Sequence, residues 1–91
     1  MERGTISVRT KTGREDVRAY MFEIEGLGFG VHRNVGPGNY WSVTERTTGL
    51  QFTWASTRKA AVERAEGTVD RYGVEVLKEQ IRSGAAEAEA V

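Results

Sequence analysis

The chain has no cysteine and a single histidine, His32, among its 91 residues. Without thiols it forms no disulfides and offers no thiolate metal ligands. One imidazole cannot build a histidine-based metal cluster. No metal and no cofactor is therefore expected, and the core must hold by apolar burial alone. Net charge is absent too: 13 basic residues balance 13 acidic ones. Dedicated nucleic-acid binders carry a basic excess, because phosphate neutralisation dominates their affinity. No stretch approaches the ~20 apolar residues of a membrane span. The start, Met1-Glu2-Arg3-Gly4, lacks an apolar signal region, so a cytoplasmic protein is expected.

The balance is uneven along the chain. Residues 1–59 hold nine Lys/Arg against six Asp/Glu, a net of +3, and residues 60–91 hold four against seven, a net of −3. The length allows one domain, which buries only about 60–65% of its extended-chain surface.

Hydrophobic periodicity divides the same halves. Ile6 and Val8 alternate with Ser7 and Arg9 up to the Thr12-Gly13 turn, the period of a half-buried strand. Tyr20, Phe22 and Ile24 share one face of a second strand, opposite Ala19, Met21 and Glu23. After Glu25-Gly26, Leu27, Phe29 and Val31 oppose Gly28, Gly30 and His32. The segment Asn34 to Asn39 contains the only proline and reads as a loop. Tyr40 to Arg46 makes a fourth strand, with Trp41 and Val43 inward. Leu50, Phe52 and Trp54 would line the inner face of a fifth. Short gaps between the strands imply antiparallel hairpins.

Beyond Ser56-Thr57 the period changes. Ala61, Ala65, Val69 and Tyr72 fall on one helical face, with Gly73 placed to end the helix. Val74, Leu77 and Ile81 mark a second helix that stops at Gly84. The expected fold is a single α+β domain over residues 1–84. It is an antiparallel β-meander of four or five strands, one face covered by a C-terminal segment of two helices. Residues 85–91 are expected to be a disordered tail. The expected core is Ile6, Val8, Tyr20, Phe22, Ile24, Leu27, Phe29, Val31, Trp41, Val43, Leu50, Phe52, Trp54, Ala61, Ala65, Val69, Leu77 and Ile81.

Chemistry is sparse in this pattern. Gly26, Gly28 and Gly30 resemble a phosphate-covering loop, but the segment runs into a strand, where a dinucleotide site needs a helix N-terminus. A hairpin turn and a flat strand face, covered by Tyr40, account for them better. Ser7, Ser42 and Thr44 share the expected face of His32, and Glu23 lies one strand back. Triads are defined by geometry and not by residue presence, so His32 reads as an exposed sheet histidine and no enzyme is expected. The carboxylates of Glu15, Asp16, Glu23 and Glu25 read as solvated. What remains is the sheet face away from the helices, where Arg9, Met21, His32, Arg33, Tyr40, Thr44 and Arg46 are the candidate binding residues.

One run invites comparison. Tyr40-Trp-Ser-Val-Thr-Glu-Arg-Thr-Thr-Gly49 leads through Leu50-Gln-Phe-Thr-Trp54 to Thr57-Arg-Lys-Ala-Ala-Val-Glu-Arg-Ala65. Over residues 29–72 it is similar to the arm-type DNA-binding domains of phage integrases and to ethylene-response-factor domains. That resemblance implies a sheet-plus-helix fold whose open face enters the major groove, with Arg33 and Arg46 near the positions of DNA-contacting strand arginines. The cadence also resembles accessory proteins of phages and mobile elements. Two functions are thus expected: a binding module that takes a protein partner or a second copy through the uncovered face, or a sheet-face DNA-binding protein.

Overall fold

The computed structural model describes residues 1–90, with side chains through Gly84. Five strands run β1 (Glu2–Thr10), β2 (Gly13–Ile24), β3 (Leu27–Arg33), β4 (Trp41–Glu45) and β5 (Gln51–Ala55). Helices α1 (Arg58–Tyr72) and α2 (Val74–Ala90) follow. All strand pairs are antiparallel and the sheet order is β1-β2-β3-β4-β5, the expected meander. No helix among the described residues is long and apolar enough to cross a membrane.

The connections follow from their residues. Glu25 and Gly26 both hold positive φ, 49° and 87°, as a two-residue type I′ hairpin requires. Thr57 caps α1, its hydroxyl accepting from the Ala60 N–H at 3.1 Å. Gly73 ends it at φ 84°, its N–H donating to the Val69 carbonyl. Helix α2 continues through Gly84, where the sequence reading ended it. The tail expected to be disordered, 85–91, continues the backbone of α2 to Ala90, and its side chains and Val91 lie outside the described residues.

Two layers of core flank the sheet. The larger lies under the helices: Leu27, Phe29, Val31, Val43 and Ala55 pack against Ala61, Ala65, Val69 and Leu77. Phe29 is fully buried between Phe22 and Phe52, with ring centroids 5.6 and 4.8 Å away. Alanines on α1 let the helix lie close to these aromatics.

The second layer corrects the expectation of an uncovered face. Register places Ile6 opposite Val17 and Gly4 opposite Ala19, on the side away from the helices. Ile6 is nevertheless only 1% exposed. It reaches across β2 to Gly30, where an added Cβ would lie 2.9 Å from its Cδ1 and 3.0 Å from the Ala19 Cβ. Aliphatic side chains of β1 and β2, and not Tyr40, therefore cover this glycine. Tyr40 instead lies against Gly38 and Trp54, and Gly28 sits beneath the Arg46 guanidinium. The β1 backbone also meets the β4–β5 turn, the Arg9 N–H donating to the Gly49 carbonyl at 2.8 Å. Gly49 has φ 72°, and a Cβ there would stand 2.8 Å from the Ser7 carbonyl oxygen. The sheet thus coils until its first hairpin closes over its own second face.

Three residues leave the expected core. Val8 is half-buried, while Leu50 and Trp54 are 44% and 49% exposed. The exposure of Trp54 has a cause in the ladder. A register irregularity opposite Val43/Thr44 breaks the alternation of β5. Phe52 still faces the helices, but Trp54 falls opposite Ser42 on the other side, and Ala55 takes the inward place. A β-bulge does this, because one extra residue switches every side chain beyond it.

Truncating Ile6 tests the second layer. Ile6→Ala should cost about 2–4 kcal/mol in urea denaturation, as for a packed core isoleucine. A cost under about 0.5 kcal/mol would mean that the hairpin does not pack on Gly30.

Candidate binding cleft

The hairpin that closes the second face also leaves a gap. β2 pairs with β3 only from Tyr20↔Val31 to Ile24↔Leu27, whereas its pairing with β1 runs on to Gly13. Beyond Tyr20, β2 departs from the sheet, and a notch opens between it and the end of β3.

Two grooves meet in this notch, with Glu15, His32, Asn34 and Val35 on the walls of both. One, of about 700 Å³, runs between the β1–β2 tip and the Asn34–Pro37 loop, over a floor of Ser42, Thr44 and Gln51. The other, of about 560 Å³, is bounded by Arg3, Arg18, Tyr20, Arg33 and Trp41.

His32 forms the common back wall and is buried with both nitrogens satisfied. Nδ1 lies 2.7 Å from the Arg33 carbonyl, which only accepts, so Nδ1 carries the proton. In the neutral ring Nε2 is then the acceptor, and the Thr44 hydroxyl donates to it at 2.7 Å. Burial pushes the His32 pKa below its ordinary 6.5, opposed by the bond to the Arg33 carbonyl. A hydroxyl–imidazole pair is the opening of a nucleophilic site, but here Thr44 and His32 are 1% and 3% exposed. The pair is a structural crosslink between β3 and β4.

The groove of Arg3, Arg18, Tyr20, Arg33 and Trp41 has a different character. Arg33 stacks over Trp41, its Cζ 5.0 Å from the ring centroid. Tyr20 carries Arg58 at 4.4 Å and Arg3 at 5.4 Å, and Arg3 Nη2 donates to its hydroxyl at 3.3 Å. These guanidinium groups lower the Tyr20 pKa from 10.0, the hydrogen bond from Arg3 most of all. None of Arg3, Arg18, Arg33 and Arg58 lies within ion-pair distance of a carboxylate among the described residues, where the one ion pair is Arg82–Glu79. Arg33 spends one N–H on the Asn39 side-chain oxygen, at 2.6 Å. Glu15 is the one carboxylate on the cleft wall, and it lies toward the hairpin tip.

The residues expected on an uncovered face are therefore dispersed. His32 and Thr44 are buried at 3% and 1% exposure, so neither projects from the surface. Met21 is half-buried against Gly4 and Gly30. Tyr40 is half-buried in its stack with Trp54, ring centroids 5.3 Å apart. Arg9 is exposed, but its place opposite Arg14 puts it on the alternate side from Val8. Arg33 stacks with Trp41 on the helix side, whereas Arg46 covers Gly28 on the other, so these two arginines share no face. Of the seven, His32 and Arg33 line the groove of arginines and aromatics, and Arg9, His32 and Thr44 the other.

Arg3, Arg18, Tyr20, Trp41 and Arg58 escaped the sequence reading as site residues. Tyr20 and Trp41 read as core because they share the inward period. The available signal was the basic excess of the first 59 residues beside two aromatics that keep a polar edge at the surface. No family model, curated protein or solved structure matches the chain.

His32 gives this region a pH dependence of defined sign. Its folded pKa is below the unfolded one, so the unfolded chain takes up the proton first. Stability should be constant above about pH 7. It should fall as pH drops through the unfolded pKa toward the folded one, by at most about 1.4 kcal/mol per pH unit. Denaturation across this range should show the slope in the wild type and a shallower one in His32→Gln. Equal slopes would assign the effect elsewhere.

Proposed function

We propose that this chain is a small non-catalytic binding module that takes an anionic partner in the arginine-and-aromatic cleft between β2 and β3. The observation that carries the proposal is the set of arginines around Tyr20 and Trp41 with no carboxylate in ion-pair contact. Unpaired arginines are ordinary on a surface. Several stacked on aromatic rings beside one concave notch are a built arrangement. Stacking holds each guanidinium flat through its π face and leaves N–H edges for bidentate bonding to phosphate or carboxylate. The ordering entropy of those side chains is then partly spent before the ligand arrives. Overall neutrality does not oppose this, since contact depends on the local field.

A protein contact is a second reading, favoured by Trp54. It stands about half exposed on the edge strand β5, stacked with Tyr40. Self-association abolished by Trp54→Ser would support that reading.

Heparin retention tests the first. The wild type should be held at about 50 mM salt, and an Arg18→Gln/Arg33→Gln pair should elute at clearly lower salt. Identical elution of both, or no retention of the wild type, would overturn it.

A further inference from the structure

The alternation of cations with aromatic planes in the cleft narrows the ligand. A purely anionic partner, such as an acidic peptide or a sulfated sugar, uses the arginines but has no use for the rings. A lone phosphate uses one or two arginines, whereas three line this groove and Arg58 stacks on Tyr20 beside it. Single-stranded nucleic acid uses both features, with phosphates on guanidinium edges and bases against aromatic or guanidinium planes. We infer that the cleft binds single-stranded nucleic acid, phosphates bound by Arg3, Arg18, Arg33 and Arg58 and bases packed on the Arg33–Trp41 stack and against Tyr20. This inference rests on the proposed anionic cleft and names its occupant.

Three features of the site agree. The notch lies between β2 on one side and β3 with Asn34 and Val35 on the other, and its volume of about 560 Å³ is that of a small-molecule pocket. A pocket of this size admits a base and its phosphate, but a duplex presents its bases only inside the stack and the grooves. Half-buried Val17 and Val35 add apolar surface to the same wall. The cations come from four elements: Arg3 from β1, Arg18 from β2, Arg33 from β3 and Arg58 from the first residue of α1.

Fluorescence anisotropy with a labelled oligothymidylate of about fifteen nucleotides provides the test. Binding should weaken with salt at a log–log slope of about −3, roughly −0.7 for each of four phosphate contacts. Arg33→Gln should weaken binding several-fold and flatten the slope by about 0.7. Arg82→Gln, remote on α2, should change neither. An abasic strand of equal length should bind about tenfold more weakly, because it cannot stack. In a Trp54→Phe background, Trp41 fluorescence should be quenched by the oligothymidylate and not by the abasic strand. Heparin retention with equal affinity for the two strands would overturn the nucleic-acid inference and leave the anionic cleft standing. A duplex binding as tightly as the single strand would overturn it as well. Absence of both heparin retention and oligonucleotide binding would remove the cleft reading itself.

Discussion

The structure depends on one close approach, the packing of Ile6 onto Gly30. A five-stranded sheet with helices on one side has a second face to dispose of. Here the first hairpin is long, and strand twist carries it around until β1 crosses that face. The crossing is sterically permitted because β3 presents hydrogen atoms there in place of side chains. Ile6 and Ala19 fill the space above Gly30, and Gly49 admits the β1 backbone to the β4–β5 turn. A small chain without disulfides gains a second layer of buried apolar surface in this way, which its size would otherwise deny it.

The same closure creates the cleft. A hairpin cannot both lie over the sheet and remain paired with β3 along its length, so β2 parts from β3 beyond Tyr20. The opened backbone at the end of β3 is stabilised by His32, which ties the Arg33 carbonyl and the Thr44 hydroxyl together. Arg33 follows directly and is laid on Trp41. The neutral state of His32, favoured by its burial, keeps positive charge out of the interior while the arginines concentrate it at the rim. Packing, hydrogen bonding and surface charge are thus linked through two adjacent residues.

The legibility of this fold in the sequence has a physical limit. Alternation of period two identified the strands, and the shift to helical spacing at Thr57 placed α1, because local burial patterns encode both. Glu25-Gly26 and Gly73 were readable because positive φ selects residues. Alternation says which side chains share a face, but not whether that face meets solvent. Ile6 was rightly expected to be buried, yet it lies on the opposite side of the sheet from Phe29. The β5 bulge carried no signal in the residues, so Trp54 was assigned inward and Ala55 overlooked. The cleft was the least legible feature. Arg3, Arg18, Arg33 and Arg58 are far apart in sequence; register sets Arg3 opposite Tyr20 and Arg33 opposite Trp41, and α1 lays Arg58 on Tyr20. Tyr20 and Trp41 show that one side chain can satisfy a core period and still present an edge to a ligand.

Both the second core layer and the cleft require that β1 lie across the second face of the sheet in solution. Nuclear Overhauser contacts between the Ile6 δ-methyl and the Gly30 α-protons measure this directly. Strong contacts, with an Arg9 amide protected from exchange by the Gly49 carbonyl, are the predicted result. Absence of those contacts, together with an Arg9 amide that exchanges as fast as an exposed one, would contradict the closure and the cleft that follows from it.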